Sequence, residues 1–310
     1  MLSRPFTGVI AAPMLPMHDD GAIDWATLAR YMDWIAAQRP AAMVMNVDAS
    51  EVIALDDEEQ LEVVRFCKRA IAGRVPLLSG VVAGSTRAAA RKAVLLREAG
   101  AEGFTVFPPF PTFSGAPVPA EMIVRFHRAI AEAGELPIIC FQFPKGWGPD
   151  YTPEILRDII AQIPQLIAIK EASFDIAQTL QTIEVARALP HPIGVLTGSD
   201  TFIFEAMMMG CTGALIGFAG TATAELVAMN DAVQRGDFAS GRAIWSKLGP
   251  IARYCWRAPI RDFRPRMKEV LRLQGIFPSA ACREPQLGVD AAECDQIALL
   301  CRTHGLTGAG

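Results

Sequence analysis

The chain has 310 residues, half of them hydrophobic (51%) and a fifth charged (20%), which is enough apolar side chain for a sizeable core. Its formal charge of −4 leaves no basic footprint for nucleic acid, and no apolar run is long enough to span a membrane. Seven scattered cysteines without a CxxC pair or zinc-finger spacing read as reduced thiols, and the N-terminal Met-Leu-Ser-Arg-Pro-Phe-Thr-Gly has no apolar signal core, so a cytoplasmic globular protein is expected.

A short apolar run, a polar loop and an amphipathic stretch recur along most of the chain. Gly8–Met17 precedes a helical pattern over Trp25–Gln38, and Ala41–Asp48 precedes Asp56–Ala72, whose opening acids suit a helix N-terminus. Pro76–Ala83 leads to Ser85–Ala99, with Ser85 as N-cap, and Gly103–Pro109 leads through a Pro- and Phe-rich loop to Ala120–Ala133. Leu136–Pro144 precedes Thr152–Ile163, where Thr152-Pro153 supplies a cap and first turn. The sixth run, residues 166–173, precedes Asp175–Leu189; Ile193–Asp200 precedes Phe202–Met209; and Gly213–Gly220 precedes a helical stretch from Ala224 towards Trp256, with breaks expected near Gly236 and Gly249.

Eight strand-then-helix units without a linker point to an α/β fold, a closed (β/α)8 TIM barrel with extra C-terminal helices. An open doubly wound sheet binding a dinucleotide would carry a Gly-rich first turn, and Pro13–Gly21 has none. The expected division is 1–222 for the barrel and 223–310 for the last barrel helix and a helical extension (Pro265–Leu273, Ala291–Thr303) packed outside it, all one structural unit.

Barrel chemistry sits where the strands end. Of six lysines only Lys145 and Lys170 fall there. Lys145 lies between Pro144 and Gly146, as in a solvated loop. Lys170 closes the apolar run Leu166-Ile167-Ala168-Ile169, where desolvation lowers an amine's pKa and the free amine attacks a carbonyl to form a Schiff base. The plainer alternative is a salt bridge from Lys170 to Glu171 or Asp200.

These residues resemble the dihydrodipicolinate synthase and N-acetylneuraminate lyase superfamily of class I aldolases. Ile169-Lys170-Glu171-Ala172-Ser173 looks like its lysine signature, Phe141-Gln142-Phe143-Pro144 stands at its Tyr-Asn-x-Pro, and Glu51 at the glutamate of its Gly-Thr-Thr-Gly-Glu-type loop. Leu196-Thr197-Gly198-Ser199-Asp200 and Gly210–Gly220 also match in kind and spacing. The resemblance implies a homo-dimer or homo-tetramer, an imine between Lys170 and pyruvate or another 2-oxo acid, and no metal or organic cofactor. Its catalytic positions fall on Lys170, Asp48 and Phe141, and its substrate contacts on Ala49, Ser50, Gln142, Ser199 and Leu215.

The departures are as telling as the matches. The family's strand-five tyrosine is Phe141, and its inter-subunit tyrosine is replaced by Phe110-Pro111; only Tyr31, Tyr151 and Tyr254 exist, and Tyr151 is the one whose loop has a route back to the site. Where relatives carry small hydroxyl or glycine residues the chain reads Val47-Asp48-Ala49-Ser50, and an anionic Asp48 repels a carboxylate unless a cation or proton intervenes. Asp48, Ser50 or a water is expected to replace the tyrosine, which argues against the lysine-pathway synthase; Asp48 reads equally as a turn residue. Ser173 and Ser199 also suit loop hydrogen bonds, and Glu51 a structural bond.

Three functions remain open at this level: a Schiff-base lyase on a 2-oxo acid, a hydratase-aldolase on an aromatic substrate held by Phe107, Phe110, Phe113, Phe141 and Phe143, and a non-catalytic 2-oxo-acid or sugar-acid binder. His18 reads as a loop residue, His127 and His191 as surface residues, and no histidine has a second His and a carboxylate at metal-ligand spacing. Met207-Met208-Met209 reads as core. The basic cluster Arg257, Arg261, Arg264, Arg266 and Lys268 reads as a salt-bridged surface or a subunit contact.

Overall fold

The computed structural model describes residues 2–114 and 117–307; the outer bounds of the expected division, residues 1 and 310, lie outside them. Each apolar run condenses into a short strand: β1 (Gly8–Ala11), β2 (Ala42–Met45), β3 (Leu77–Val81), β4 (Gly103–Val106), β5 (Ile138–Gln142), β6 (Leu166–Glu171), β7 (Gly194–Thr197) and β8 (Gly213–Ile216). All are parallel, and among the described residues they close in chain order, with Ile10 of β1 beside Leu215 of β8. The runs outlast the strands because the loops leaving them are buried too, as Met14, Leu15 and Met17 beyond β1 illustrate.

The connecting helices are α1 (Trp25–Ala37), α2 (Asp57–Ile71), α3 (Thr86–Ala99), α4 (Ala120–Gly134), α5 (Pro153–Gln162), α6 (Ile176–Ala188), α7 (Ile203–Met209) and α8 (Thr223–Gln234). Their starts follow capping chemistry. Asp56 and Glu59 form a reciprocal box at α2, Ser85 accepts the Ala88 N–H at α3, and Thr152 with Pro153 opens α5. Asp175 caps α6 through the Gln178 N–H.

Beyond the barrel run α9 (Phe238–Cys255), α10 (Phe263–Leu273) and α11 (Ala291–His304). The break expected near Gly236 separates α8 from α9, but the one near Gly249 is absent: α9 continues through Gly249-Pro250 to Cys255. Proline inside a helix costs about 3 kcal/mol, and burial of Trp245, Leu248, Ile251 and Cys255 along one face outweighs it.

Two expectations about burial are also corrected, one of a surface residue and one of a core residue. His127 is fully buried on α4, on the same face as Ile123 and Ile130, with Nδ1 2.8 Å from the Ile123 carbonyl oxygen; burial pushes its pKa down to about 4. Of the three methionines at the end of α7, Met207 is core but Met208 is 40% exposed. His18 and His191 are exposed as expected.

The C-terminal extension does not simply pack outside the barrel. The turn from Trp256 through Phe263 folds over the end of the barrel where the strands terminate. Within α10, Arg266 and Lys268 are buried instead of exposed: Arg266 pairs with Glu293 of α11 at 3.0 Å, and Lys268 pairs with Glu51 in the loop after β2. Among the described residues no helix is long and apolar enough to cross a membrane.

Candidate active site

β6 is buried along its whole length and carries Lys170 next to Phe141 of β5 and Leu196 of β7. Lys170 opens onto a cavity of about 190 Å³ at the strand ends. Its Nζ lies 3.8 Å from the centre of the Phe141 ring. Glu171 turns the other way, accepting from the Ser173 N–H at 3.1 Å and the Thr179 hydroxyl at 2.5 Å, so it does not neutralise the lysine.

Burial lowers the Lys170 pKa to about 8, with Asp48 and Asp200 pulling it partly back. A neutral amine is thereby available close to physiological pH, which an exposed lysine at about 10.4 does not offer.

Passage of the lysine stem depends on Gly198. A Cβ there would stand 2.8 Å from Lys170 Cε and 2.6 Å from Ala172 Cβ, well inside contact distance. Gly198→Ala is therefore expected to displace the amine and slow imine formation by about tenfold or more, since ~1 Å of misplacement can cost about 10²-fold. Borohydride trapping with pyruvate, alongside a melting curve, measures this; an unchanged trapping rate in a folded variant would refute it.

Two carboxylates share the cavity with Lys170. Asp200, just past β7, is buried and accepts the Phe218 N–H at 2.8 Å; burial pushes its pKa up to about 7, against the opposing pull of that hydrogen bond and of Lys170. Asp48 follows β2, across the barrel from β6. The cation its charge demands comes from α10, where Arg264 donates from Nε to the Asp48 backbone oxygen at 2.5 Å and places Nη2 3.5 Å from the Asp48 carboxylate. Arg261 lines the same cavity, as do Trp256, Ile260 and Phe263. These residues were not foreseen as part of the site. The signal was present, in a basic cluster within an acidic chain and an Asp48 lacking a counter-charge.

The structure separates the expected contacts into two groups. Lys170, Asp48, Ala49 and Phe141 line the cavity. Ser50, Gln142, Ser199 and Leu215 do not. The Ser50 hydroxyl is taken by the N–H and carbonyl of Val47. The Gln142 amide donates to the Phe143 and Pro149 carbonyls and accepts the Tyr151 N–H at 2.7 Å, pinning the loop after β5. Ser199 accepts the Phe174 N–H, and Leu215 is barrel core. Ser173 serves its loop, bonded to Asp175. Each was a polar or apolar residue at a strand end whose orientation its neighbours decided.

No tyrosine lines the cavity among the described residues. Tyr31 donates to the Gly220 carbonyl at 2.7 Å. Tyr151 lies against His127 behind β5, where Cys140 Sγ is 3.2 Å from His127 Nε2, and so does not reach back to the site. Lys145 bonds Asp175 at 3.1 Å out in the β5 loop and adds no charge to the cavity. Of the five phenylalanines read as a substrate wall, Phe141 and Phe143 line the cavity; Phe107 packs behind them, and Phe110 and Phe113 are partly exposed. Among the described residues no group of three or more His, Cys, Asp or Glu is placed to hold a metal ion.

Comparison with known proteins adds an independent line. The family model described as the Dihydrodipicolinate synthetase family matches residues 5–302. A 4-hydroxy-tetrahydrodipicolinate synthase of Pseudomonas aeruginosa is 30% identical over 288 residues, covering 90% of this chain and 95% of that protein. Among solved structures, dihydrodipicolinate synthase from Thermotoga maritima superposes with TM-score 0.88 at 21% identity, covering 98% of this chain and 100% of that one. YagE, a prophage protein of that family from E. coli K12 in complex with pyruvate, gives 0.87 at 24%, covering 97% and 99%.

Proposed function

Because the chain belongs to the dihydrodipicolinate synthetase family and is a class I, lysine-dependent lyase, we propose that it forms an imine between Lys170 and pyruvate or a related 2-oxo acid and then makes or breaks a bond at the adjacent carbon. The observation that carries this reading is the buried amine of Lys170, opening onto a small cavity and pushed towards its neutral form. Attack of Nζ on the ketone carbon expels the carbonyl oxygen as water. The protonated imine then draws electrons from the bond that breaks, giving an enamine. The same electron sink serves aldol cleavage, condensation and dehydration.

Proton transfer is assigned to Asp200, which lines the cavity together with Lys170 and whose raised pKa near neutrality suits it to exchange a proton there. Asp48, held by Arg264 across the barrel, faces the substrate's outer portion. Replacement of the relatives' tyrosine by Phe141 and the presence of Asp48 support a reaction other than that of the lysine-pathway synthase. The hydratase-aldolase reading draws support from the aromatic wall of Phe143, Trp147, Phe174 and Trp256. A cavity smaller than the roughly 300–1,000 Å³ of sites for larger ligands favours a small 2-oxo acid over it.

The free state of all seven cysteines fits a cytoplasmic protein, and the exposed Phe110 and Trp147, in the loops after β4 and β5, fit a homo-dimer or homo-tetramer. The test is intact mass after incubation with pyruvate and borohydride. One adduct, mapped to the peptide carrying Lys170, is expected, and Asp200→Asn should slow its formation by about 10²-fold or more. An unlabelled wild-type protein would remove the Schiff-base reading.

A further inference from the structure

The cavity's cations come from two different parts of the chain. Lys170 sits on the barrel floor, whereas Arg261 and Arg264 reach the cavity from the C-terminal turn and α10. Neither guanidinium is used up by its protein partners. Arg264 spends Nε and Nη2 on Asp48, and among the described residues no hydrogen bond engages its Nη1. The contact of Arg261 is from Nε to the neighbouring Asp262 at 3.3 Å, which leaves its two terminal nitrogens open. The other basic residues of the cluster are committed elsewhere, Arg257 and Arg266 to Glu293 and Lys268 to Glu51.

Charge balance supports the same conclusion. Asp48 offsets one of the two arginines. Asp200 is pushed towards its protonated form by burial, and so offsets little. Asp262 offsets Arg261 only in part, because Arg266 shares it; once Lys170 carries a protonated imine, the lining therefore holds more than one uncompensated positive charge, and a monoanionic 2-oxo acid supplies only one negative charge. The planar fork of arginine is matched to carboxylate and binds it through two parallel hydrogen bonds. The loop after β5 offers no competing cation, because Lys145 is bonded to Asp175 outside the cavity.

We propose that Arg261 and Arg264 form an anion subsite at the outer end of the cavity, so that the enzyme selects 2-oxo acids bearing a second, distal carboxylate. The inference rests on the Schiff-base reading and deepens it. The 2-oxo group meets Lys170, the distal carboxylate meets the arginines, and the apolar side chains between them contact the carbon chain. Arg261 and Arg264 act as specificity residues and take no part in bond breaking.

The experiment is competitive trapping with borohydride, which adds hydride to the imine carbon and fixes the substrate as a secondary amine on Lys170. 2-Oxoglutarate is compared with 2-oxopentanoate, a five-carbon analogue without the distal carboxylate, and pyruvate is run in parallel. The wild type is expected to half-saturate at a concentration at least tenfold lower with 2-oxoglutarate. Arg264→Met should bring that ratio close to one. Arg261→Met, at a 73% exposed side chain whose loss spares the fold, should reduce it severalfold. A wild-type ratio near one, or a ratio unchanged in Arg261→Met and in a folded Arg264→Met, would overturn the subsite while pyruvate labelling stands. Absence of labelling by all three acids would instead overturn the Schiff-base reading and this inference with it.

Discussion

Replacement of Lys170 by arginine is expected to lower turnover by at least about 10³-fold and to abolish borohydride trapping by pyruvate. Arginine keeps the charge and nearly the length of the side chain, but it is never deprotonated in a protein and so supplies no nucleophile. A purely electrostatic role for residue 170 would survive this change. In the wild type the trapping rate should rise with pH and level off above about 8. The sign follows from the chemistry: the neutral amine attacks, and its fraction grows as pH passes the folded-state pKa. An exposed lysine would still be gaining reactivity at about 10.4. Because the Asp200 carboxylate pulls the lysine pKa upward, Asp200→Asn should move the midpoint of this profile to lower pH while slowing the step itself. A profile centred near the ordinary lysine value would contradict the desolvated site.

The second large effect is on stability. Lys268 and Glu51 face each other with side chains 0% and 3% exposed, and Lys268 also donates to the Ala281 carbonyl at 2.6 Å. Lys268→Met removes the cation and leaves the Glu51 carboxylate buried without it, a change that costs about 3–5 kcal/mol. At roughly 2–4 °C per kcal/mol for a chain somewhat shorter than this, the midpoint of thermal unfolding should fall by roughly 6–20 °C. Adding Glu51→Gln to Lys268→Met should recover part of the loss, since a neutral amide is far less costly to bury than a lone charge. Circular dichroism melts at one protein concentration measure both. A fall of less than about 2 °C in the single variant would mean that the pair is not buried in solution.

Much of this was legible in the sequence. Eight apolar runs led to eight strands, and Ser85, Thr152-Pro153 and the acids at residues 56–58 marked helix starts because capping depends on residues close in sequence. Lys170 stood out for a related reason, a single ammonium at the end of a fully apolar run. What stayed hidden depends on distance or on orientation. Arg264 meets Asp48 across 216 positions of chain, so its cluster looked like an ordinary charged surface. Ser50, Gln142 and Ser199 had polar groups at the right strand ends, but loop N–H and C=O groups claimed them first. The burial of His127 was within reach of a stricter reading, since Ile123, His127 and Ile130 share one helical face. Gly249-Pro250 misled because local propensity yields to burial along α9.

The pairing of Asp48 with Arg264 and of Glu51 with Lys268 also orders events in time. A chain emerging from the ribosome has completed all eight strands by Ile216, yet the residues that finish the cavity lie some fifty positions later, on a turn and helix that must fold back over the barrel mouth. Closing contacts this distant in sequence is slow and comes late in folding. A half-made chain therefore carries its reactive lysine without the wall that confines and selects what reaches it. The same stretch after β8 thus supplies both the wall of the site, through Arg264, and a buried ion pair that holds the β2 loop, through Lys268.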